Sequence, residues 1–240
     1  LVALRRLGVR YVALADDNFY PVTLEDLATA DRRQDKQRLH ELQAIRDERF
    51  ELMARLAELP DDMVFFTQIT MEASEDKEFL NAMRKAHIRG ALVGVESVTP
   101  EGLKDVYKDF NSTGEELVVR LRAFKDAGVH LLGSFIFGLP SDRPDTFDMT
   151  ADIAKRGGVT VAQFLMLQHL PGTVDFKKWE ETIASEDRRI DGVPISKYWL
   201  IPDSKRPRIY GKHPSMSNNE SRALTQGVWD NFYQLSYIWK

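Results

Sequence analysis

The 240-residue chain contains no cysteine. Disulfides, a thiolate nucleophile, cysteine-ligated zinc and an iron–sulfur cluster held by cysteine are therefore excluded for these residues. Long apolar runs are also missing. None approaches the roughly 20 residues that a membrane helix needs, and no signal peptide is visible. Excess charge of one sign is lacking too: the formal net charge is -4, so the chain as a whole does not attract nucleic acid or an anionic membrane. The expectation is a cytoplasmic protein with a small-molecule partner, no nucleic acid and no membrane span.

Hydrophobic content of 43% and charged content of 29% are ordinary for a globular protein. The length suffices for one α/β domain or a domain with an appendage. Leu1, Leu4 and Leu7 lie about one helical turn apart, and Gly8 sits where a helix stops. The opening residues thus read as the end of a helix already under way, and the N-terminus is expected to be a cut through a larger protein.

Residues 131–140, LLGSFIFGLP, form a short apolar run bounded by loop signals, the pattern of a buried parallel strand. Gly133 and Gly138 interrupt it, and glycine inside a strand marks close approach by backbone or ligand. Pro144 then fits the first turn of a helix. Similar units precede and follow this one. Residues 9–15 read as a strand opening into Asp16-Asp17-Asn18-Phe19-Tyr20-Pro21. The adjacent carboxylates call for a cation, a divalent metal or a ligand's ammonium group; otherwise they form an Asx-type turn before a helix capped at Thr23. Residues 24–59 carry helical periodicity in two pieces. Residues 63–70 form the next strand, followed by Glu72 and by a helix capped at Ser74. Gln68 and Glu72 either touch a ligand or bond a neighbouring strand.

Residues 90–95 form a third strand ending on Glu96. A carboxylate there suits ligand hydroxyls, or alternatively a loop ion pair. A capping box at Ser112 opens the next helix. Residues 159–168 form a fifth strand, with Gln168 at its tip and His169 beyond as an acid–base group, a ligand or a structural histidine. Succession of apolar strand and helix argues for parallel α/β architecture, with the polar or glycine-bearing tips on the carboxyl side. From residue 174 the pattern changes. A short basic run, Lys205-Arg206-Pro207-Arg208, is too small for nucleic-acid binding. A capped amphipathic helix from Ser217 to about Tyr237 is expected to dock Trp229, Phe232, Tyr233 and Tyr237 on the barrel or on a neighbouring domain.

Taken together, ALVGVESVTPEGL, AGVHLLGSFIFGLPSDRPDTF and the earlier Asp-Asp-Asn-Phe resemble the radical SAM superfamily, and within it the cobalamin-binding proteins. The resemblance implies an α/β partial TIM-like barrel of parallel βα units, five of six present here, over residues 1–173, with a C-terminal helical extension over 174–240. It implies S-adenosylmethionine at the carboxyl ends of the strands, a 4Fe–4S cluster and cobalamin in the intact protein. Cluster ligands would come from a missing N-terminal domain, and the reaction class would be methyl transfer. By the same resemblance Asp16, Asp17 and Asn18 stand where the family contacts the methionine amino group, usually with Gly-Gly-Glu. Glu96 falls near the ribose or methionine moiety, and Gly133, Ile136 and Gly138 lie against adenine. Gln168 is a further contact, and Tyr20, Gln68, Glu72 and His169 line the substrate side. Two alternatives remain: a metalloenzyme holding a divalent ion with Asp16, Asp17 and Glu96, and a non-catalytic barrel acting as a binding module.

Overall fold

A computed structural model describes residues 1–109, 111–184 and 188–238. Five parallel strands in the order β1-β2-β3-β4-β5 curl into a half-barrel. They are β1 (Tyr11–Ala13), β2 (Val64–Ile69), β3 (Ile88–Glu96), β4 (His130–Phe137) and β5 (Val161–Met166). The opening turn α1 (Val2–Arg6) precedes β1, and α2 (Leu24–Arg32) and α3 (Lys36–Ala57) connect β1 to β2. A 3₁₀ turn, Met71–Glu75, and α4 (Lys77–Lys85) lead to β3; α5 (Pro100–Asp105) and α6 (Gly114–Asp126) lead to β4; α7 (Pro144–Arg156) leads to β5. Beyond the sheet come α8 (Val174–Ile183), a two-residue hairpin of β6 (Arg189–Ile190) and β7 (Val193–Pro194), and α9 (Asn218–Phe232). A short turn, α10 (Leu235–Ile238), ends the described chain. Among the described residues no helix is long and apolar enough to cross a membrane.

Alternation along each strand sorts side chains to the two faces. On β4, Leu131, Gly133, Phe135 and Phe137 are buried against the helical layer, while Leu132, Ser134 and Ile136 are half-buried on the concave face. On β3, Val93 and Val95 turn outward to the helices, and Leu92, Gly94 and Glu96 turn inward. The outward layer is continuous: Phe137 stacks on Phe147 at 4.3 Å, and Phe164 meets Phe232 edge-on at 5.7 Å. Removal of this apolar surface from water provides the main cohesion.

Local signals place most helices. Thr23 and Asp26 form the capping box of α2, and Pro144 occupies the first turn of α7. Two expected caps differ. Asp76, not Ser74, caps α4, its Oδ1 accepting from Phe79 N at 3.0 Å. Ser74 lies within the 3₁₀ turn with its hydroxyl buried and unpartnered. No box forms at Ser112, whose hydroxyl donates instead to Glu116. In both places the carboxylate is the stronger acceptor.

Helix α9 packs on α7 and on the outer edge of β5. Tyr233 Oη accepts from Ala162 N at 3.0 Å and donates to Ala162 O at 2.7 Å, and Trp229 Nε1 donates to Phe164 O. These side chains satisfy backbone groups that an edge strand otherwise exposes. Tyr233→Phe is therefore expected to destabilise the protein by about 1–2 kcal/mol, because both Ala162 groups lose their partner in a half-buried setting. Urea denaturation measures the loss, and an unchanged midpoint would show that water replaces the hydroxyl.

Candidate functional site

The polar cleft lies at the carboxyl ends of β2 and β3. Its cavity of about 210 Å³ is lined by Asp17, Gln68, Thr70, Glu72, Gly94, Glu96, Lys108 and Ser134, among others. Pairing of β3 with β4 slips between Gly94 and Glu96, opposite Phe135. The bulge leaves Glu96 with φ +67, in the left-handed region. For a non-glycine residue that conformation costs on the order of 1–3 kcal/mol and concentrates at functional sites. Glu96 Oε1 accepts from Lys108 Nζ at 2.7 Å. Gly94 makes room for this pair: a side chain there would fall on the Glu96 carboxylate and within 3.1 Å of Lys108 Nζ.

The loop after β1 is tied across to β2. Phe19 N donates to Gln68 O at 2.8 Å, and Gln68 Nε2 donates to Asp17 O at 3.0 Å. The Gln68 side chain thus bonds the loop after β1 and also lines the cleft. Within the loop, Asn18 Oδ1 accepts from Tyr20 N at 3.0 Å, an Asx turn. Asp16 pairs with Arg49 at 2.7 Å, so the cation beside the twin carboxylates is an arginine of α3. Asp17 is left to the cleft. Opposite it, Glu72 Oε2 and Thr70 Oγ1 are buried and have no hydrogen-bond partner. Unpartnered buried oxygens cost about 1–3 kcal/mol each unless a ligand or water satisfies them. With Asp17, Glu72 and Glu96 set against the single lysine Lys108, the cleft favours a cationic, hydroxyl-rich guest.

The structure gathers Asp17, Gln68, Glu72 and Glu96, and places other candidates elsewhere. Tyr20 is 1% exposed, with its ring against Phe79 and its hydroxyl donating to Asp76 at 3.0 Å. Burial, then the neighbouring carboxylate, push its phenol well above the ordinary range. Its side chain belongs to the core and not to a substrate wall. His169 turns to the C-terminal segment, stacking on Trp179 at 5.9 Å, and burial lowers its pKa. Gln168 bridges to Tyr210 and lines a second cleft. Gly133 faces the helical layer, where a methyl would meet Val159 and the Phe135 ring, so glycine there answers to packing. Gly138 has φ +85 and donates its N–H to Asp142 at 2.8 Å. Ile136 shares the concave face with Ser134. Lys108, Gly94 and Thr70 were missed by sequence reasoning, although the inward parity of Gly94 with Glu96 was available to find it. As for a metal site, Asp16 and Glu96 are each committed to a basic side chain. Among the described residues no group of three His, Asp or Glu side chains gathers as ligands.

Fold and cleft define a class: a parallel α/β half-barrel with a polar cleft at the carboxyl ends of its strands. No family model matches the chain. Over 110 residues it is 29% identical to an uncharacterised methyltransferase of Pyrococcus horikoshii, covering 46% of this chain and 23% of that protein. Over 128 residues it is 26% identical to the hopanoid C-2 methylase of Rhodopseudomonas palustris, covering 52% of this chain and 24% of the methylase. The matches thus span about a quarter of these relatives' length. Among solved structures, the radical S-adenosylmethionine methyltransferase TsrM of Kitasatospora setae, with cobalamin and a 4Fe–4S cluster bound, superposes with a TM-score of 0.61 at 17% identity, over 94% of this chain and 44% of TsrM. The cobalamin-dependent S-adenosylmethionine radical enzyme OxsB gives a TM-score of 0.57 at 13% identity, over 95% and 34%. The chain resembles the cobalamin-binding radical SAM proteins and shares their fold.

Proposed function

We propose that residues 1–240 carry the S-adenosylmethionine-binding half-barrel of a radical SAM enzyme, of the cobalamin-dependent methyltransferase type. Residues 1–173 would supply the barrel and 174–240 the extension against it. The observation that carries this reading is the strained, lysine-paired Glu96 at the tip of β3, facing unpartnered buried oxygens of Thr70 and Glu72.

The donor set fits S-adenosylmethionine. Asp17 and Glu72 present carboxylates to an ammonium group, and Glu96 accepts hydrogen bonds from vicinal hydroxyls. Lys108 donates to Glu96 and would be the cation available to a ligand carboxylate. The absence of a side chain at Gly94 keeps the floor open. Bound S-adenosylmethionine supplies the group-transfer or radical chemistry; the chain binds it, orients it and limits water. The chain has no cysteine, so its residues do not fit a cysteine-ligated cluster. Cluster ligands would have to come from outside these 240 residues.

Calorimetric titration of the 240-residue chain with S-adenosylmethionine tests the reading. Saturable binding is expected, weakened about tenfold in Glu96→Gln, which keeps the shape and removes the charge. Gly94→Ala is expected to weaken binding similarly with little loss of thermal stability, because only the flexible carboxylate end has to move. No binding by the unsubstituted chain, or equal affinity in both variants, overturns it.

A further inference from the structure

A second cleft, of about 520 Å³, lies between the outer edge of β5 and helix α9. Its polar wall is made by Gln168, Arg208, Tyr210, Asn219 and Arg222, and its apolar wall by Phe164, Met166 and Trp229. No carboxylate lines it, in a chain where Asp and Glu outnumber Lys and Arg by 37 to 33. In the same basic run Lys205 pairs with Asp191 at 2.7 Å and Arg206 with Asp203 at 2.7 Å. Elsewhere half-buried Arg46 and Arg120 are paired too, with Asp76 and Glu75. Among the described residues Arg208 and Arg222 have neither ion pair nor hydrogen bond, yet they approach one cavity from two separate elements.

We propose that this cleft binds a small molecule bearing a phosphoryl or carboxylate group on an apolar, ring-like body. Guanidinium groups are the donors best matched to oxyanions, and they bind them through paired N–H bonds. Asn219, in the first turn of the 15-residue α9, adds an amide donor at the helix end where the backbone dipole favours negative charge. Trp229, held by its indole N–H to Phe164 O at 3.3 Å, offers a fixed aromatic surface. The volume lies within the range of small-molecule pockets, roughly 300–1,000 Å³. Through Gln168 the cleft reaches the same carboxyl end of the sheet as the acidic cleft, so the two have opposite charge preference. In the enzyme reading above, the guest would be the substrate. Anion binding is measured without S-adenosylmethionine, so failure of either proposal leaves the other standing.

The test is a titration of the isotope-labelled 240-residue chain with phenyl phosphate and with benzoate, following the Trp229 indole N–H resonance. Benzyl alcohol serves as the uncharged control. At least one anion is expected to give a saturable shift that benzyl alcohol does not, and whichever binds tighter names the oxyanion. Arg208→Gln and Arg222→Gln, both at exposed positions, are each expected to weaken binding about fivefold or more. Raising salt should weaken it further. Absence of a saturable shift with both anions, or undiminished affinity in the double variant, overturns the proposal.

Discussion

Asp76→Ala is expected to destabilise the protein by about 3–5 kcal/mol, the range for breaking a buried ion pair from one side. Asp76 is 2% exposed and has three partners. Its Oδ2 accepts from Arg46 at 2.6 Å and from the Tyr20 hydroxyl at 3.0 Å, and its Oδ1 caps α4 through Phe79 N. Burial pushes its pKa up, but the Arg46, Phe79 and Tyr20 bonds outweigh that and hold the carboxyl below its ordinary value. Removing it leaves the Arg46 guanidinium, 12% exposed, without its main counter-charge. The remaining partner, Glu78, sits at 3.4 Å on an exposed side chain and replaces little. For a chain of this size the loss corresponds to a fall in Tm on the order of 10 °C. Tyr20→Phe removes a single hydroxyl and should cost only about 1 kcal/mol. Denaturation of Asp76→Ala, Arg46→Met and the double variant closes the cycle. A double variant no worse than either single one is expected, and an Asp76→Ala loss below about 1 kcal/mol would refute the account.

The network bears on the site because Asp76 stands directly after the 3₁₀ turn that carries Glu72, and Tyr20 ends the loop that carries Asp17. One carboxylate therefore fixes two of the loops that border the acidic cleft. None of this was legible in the sequence. Asp76 and Arg46 are 30 residues apart and Asp76 and Tyr20 are 56 apart, and no periodicity links them. What could be read was whatever repeats along the chain or signals locally. Apolar strands alternating with helical stretches gave the parallel α/β architecture, its curl into a half-barrel was implied only by the family resemblance, and Thr23 and Pro144 marked true helix starts. The polar residues Asp17, Gln68, Glu72 and Glu96 were visible because each interrupts or ends an apolar strand. Lys108 was not, since it lies in a loop between α5 and α6 that carries no pattern. Gly133 misled for a related reason: a strand glycine looks the same whether a ligand or a neighbouring Val159 occupies the missing side chain's place. The basic run at 205–208 likewise looked uniform, and only the fold separates the paired Lys205 and Arg206 from Arg208.

Asp142→Asn is expected to change how stability depends on pH, by roughly 2 kcal/mol between pH 7.5 and 4.5. Asp142 is 3% exposed in the loop between β4 and α7. Its Oδ2 accepts from Gly138 N at 2.8 Å and Leu139 N at 3.0 Å, while Oδ1 is buried and unpartnered. Burial raises its pKa from 3.8 to about 6, against the two backbone N–H bonds and nearby His213 and with the help of Asp105. His213 does not form an ion pair with it: Nδ1 accepts from Ser215 N and Met216 N, which leaves Nε2 to donate to the Asp142 carbonyl at 3.1 Å. The folded state thus prefers the protonated acid more strongly than the unfolded chain does. Its contribution to stability is fully present below the unfolded value near 3.8 and is lost as pH rises through about 6. Acidification from pH 7.5 should therefore stabilise the wild-type chain relative to Asp142→Asn. The depressed carboxyls of Asp76, Asp62 and Glu25, and the lowered His169, act in the opposite direction, but they are common to both proteins and cancel in the difference. Urea unfolding of the pair at pH 7.5, 6 and 4.5 reads that difference directly. A gap that stays flat across the three values would mean that Asp142 ionises as freely in the fold as in water, which its burial and orphaned oxygen argue against.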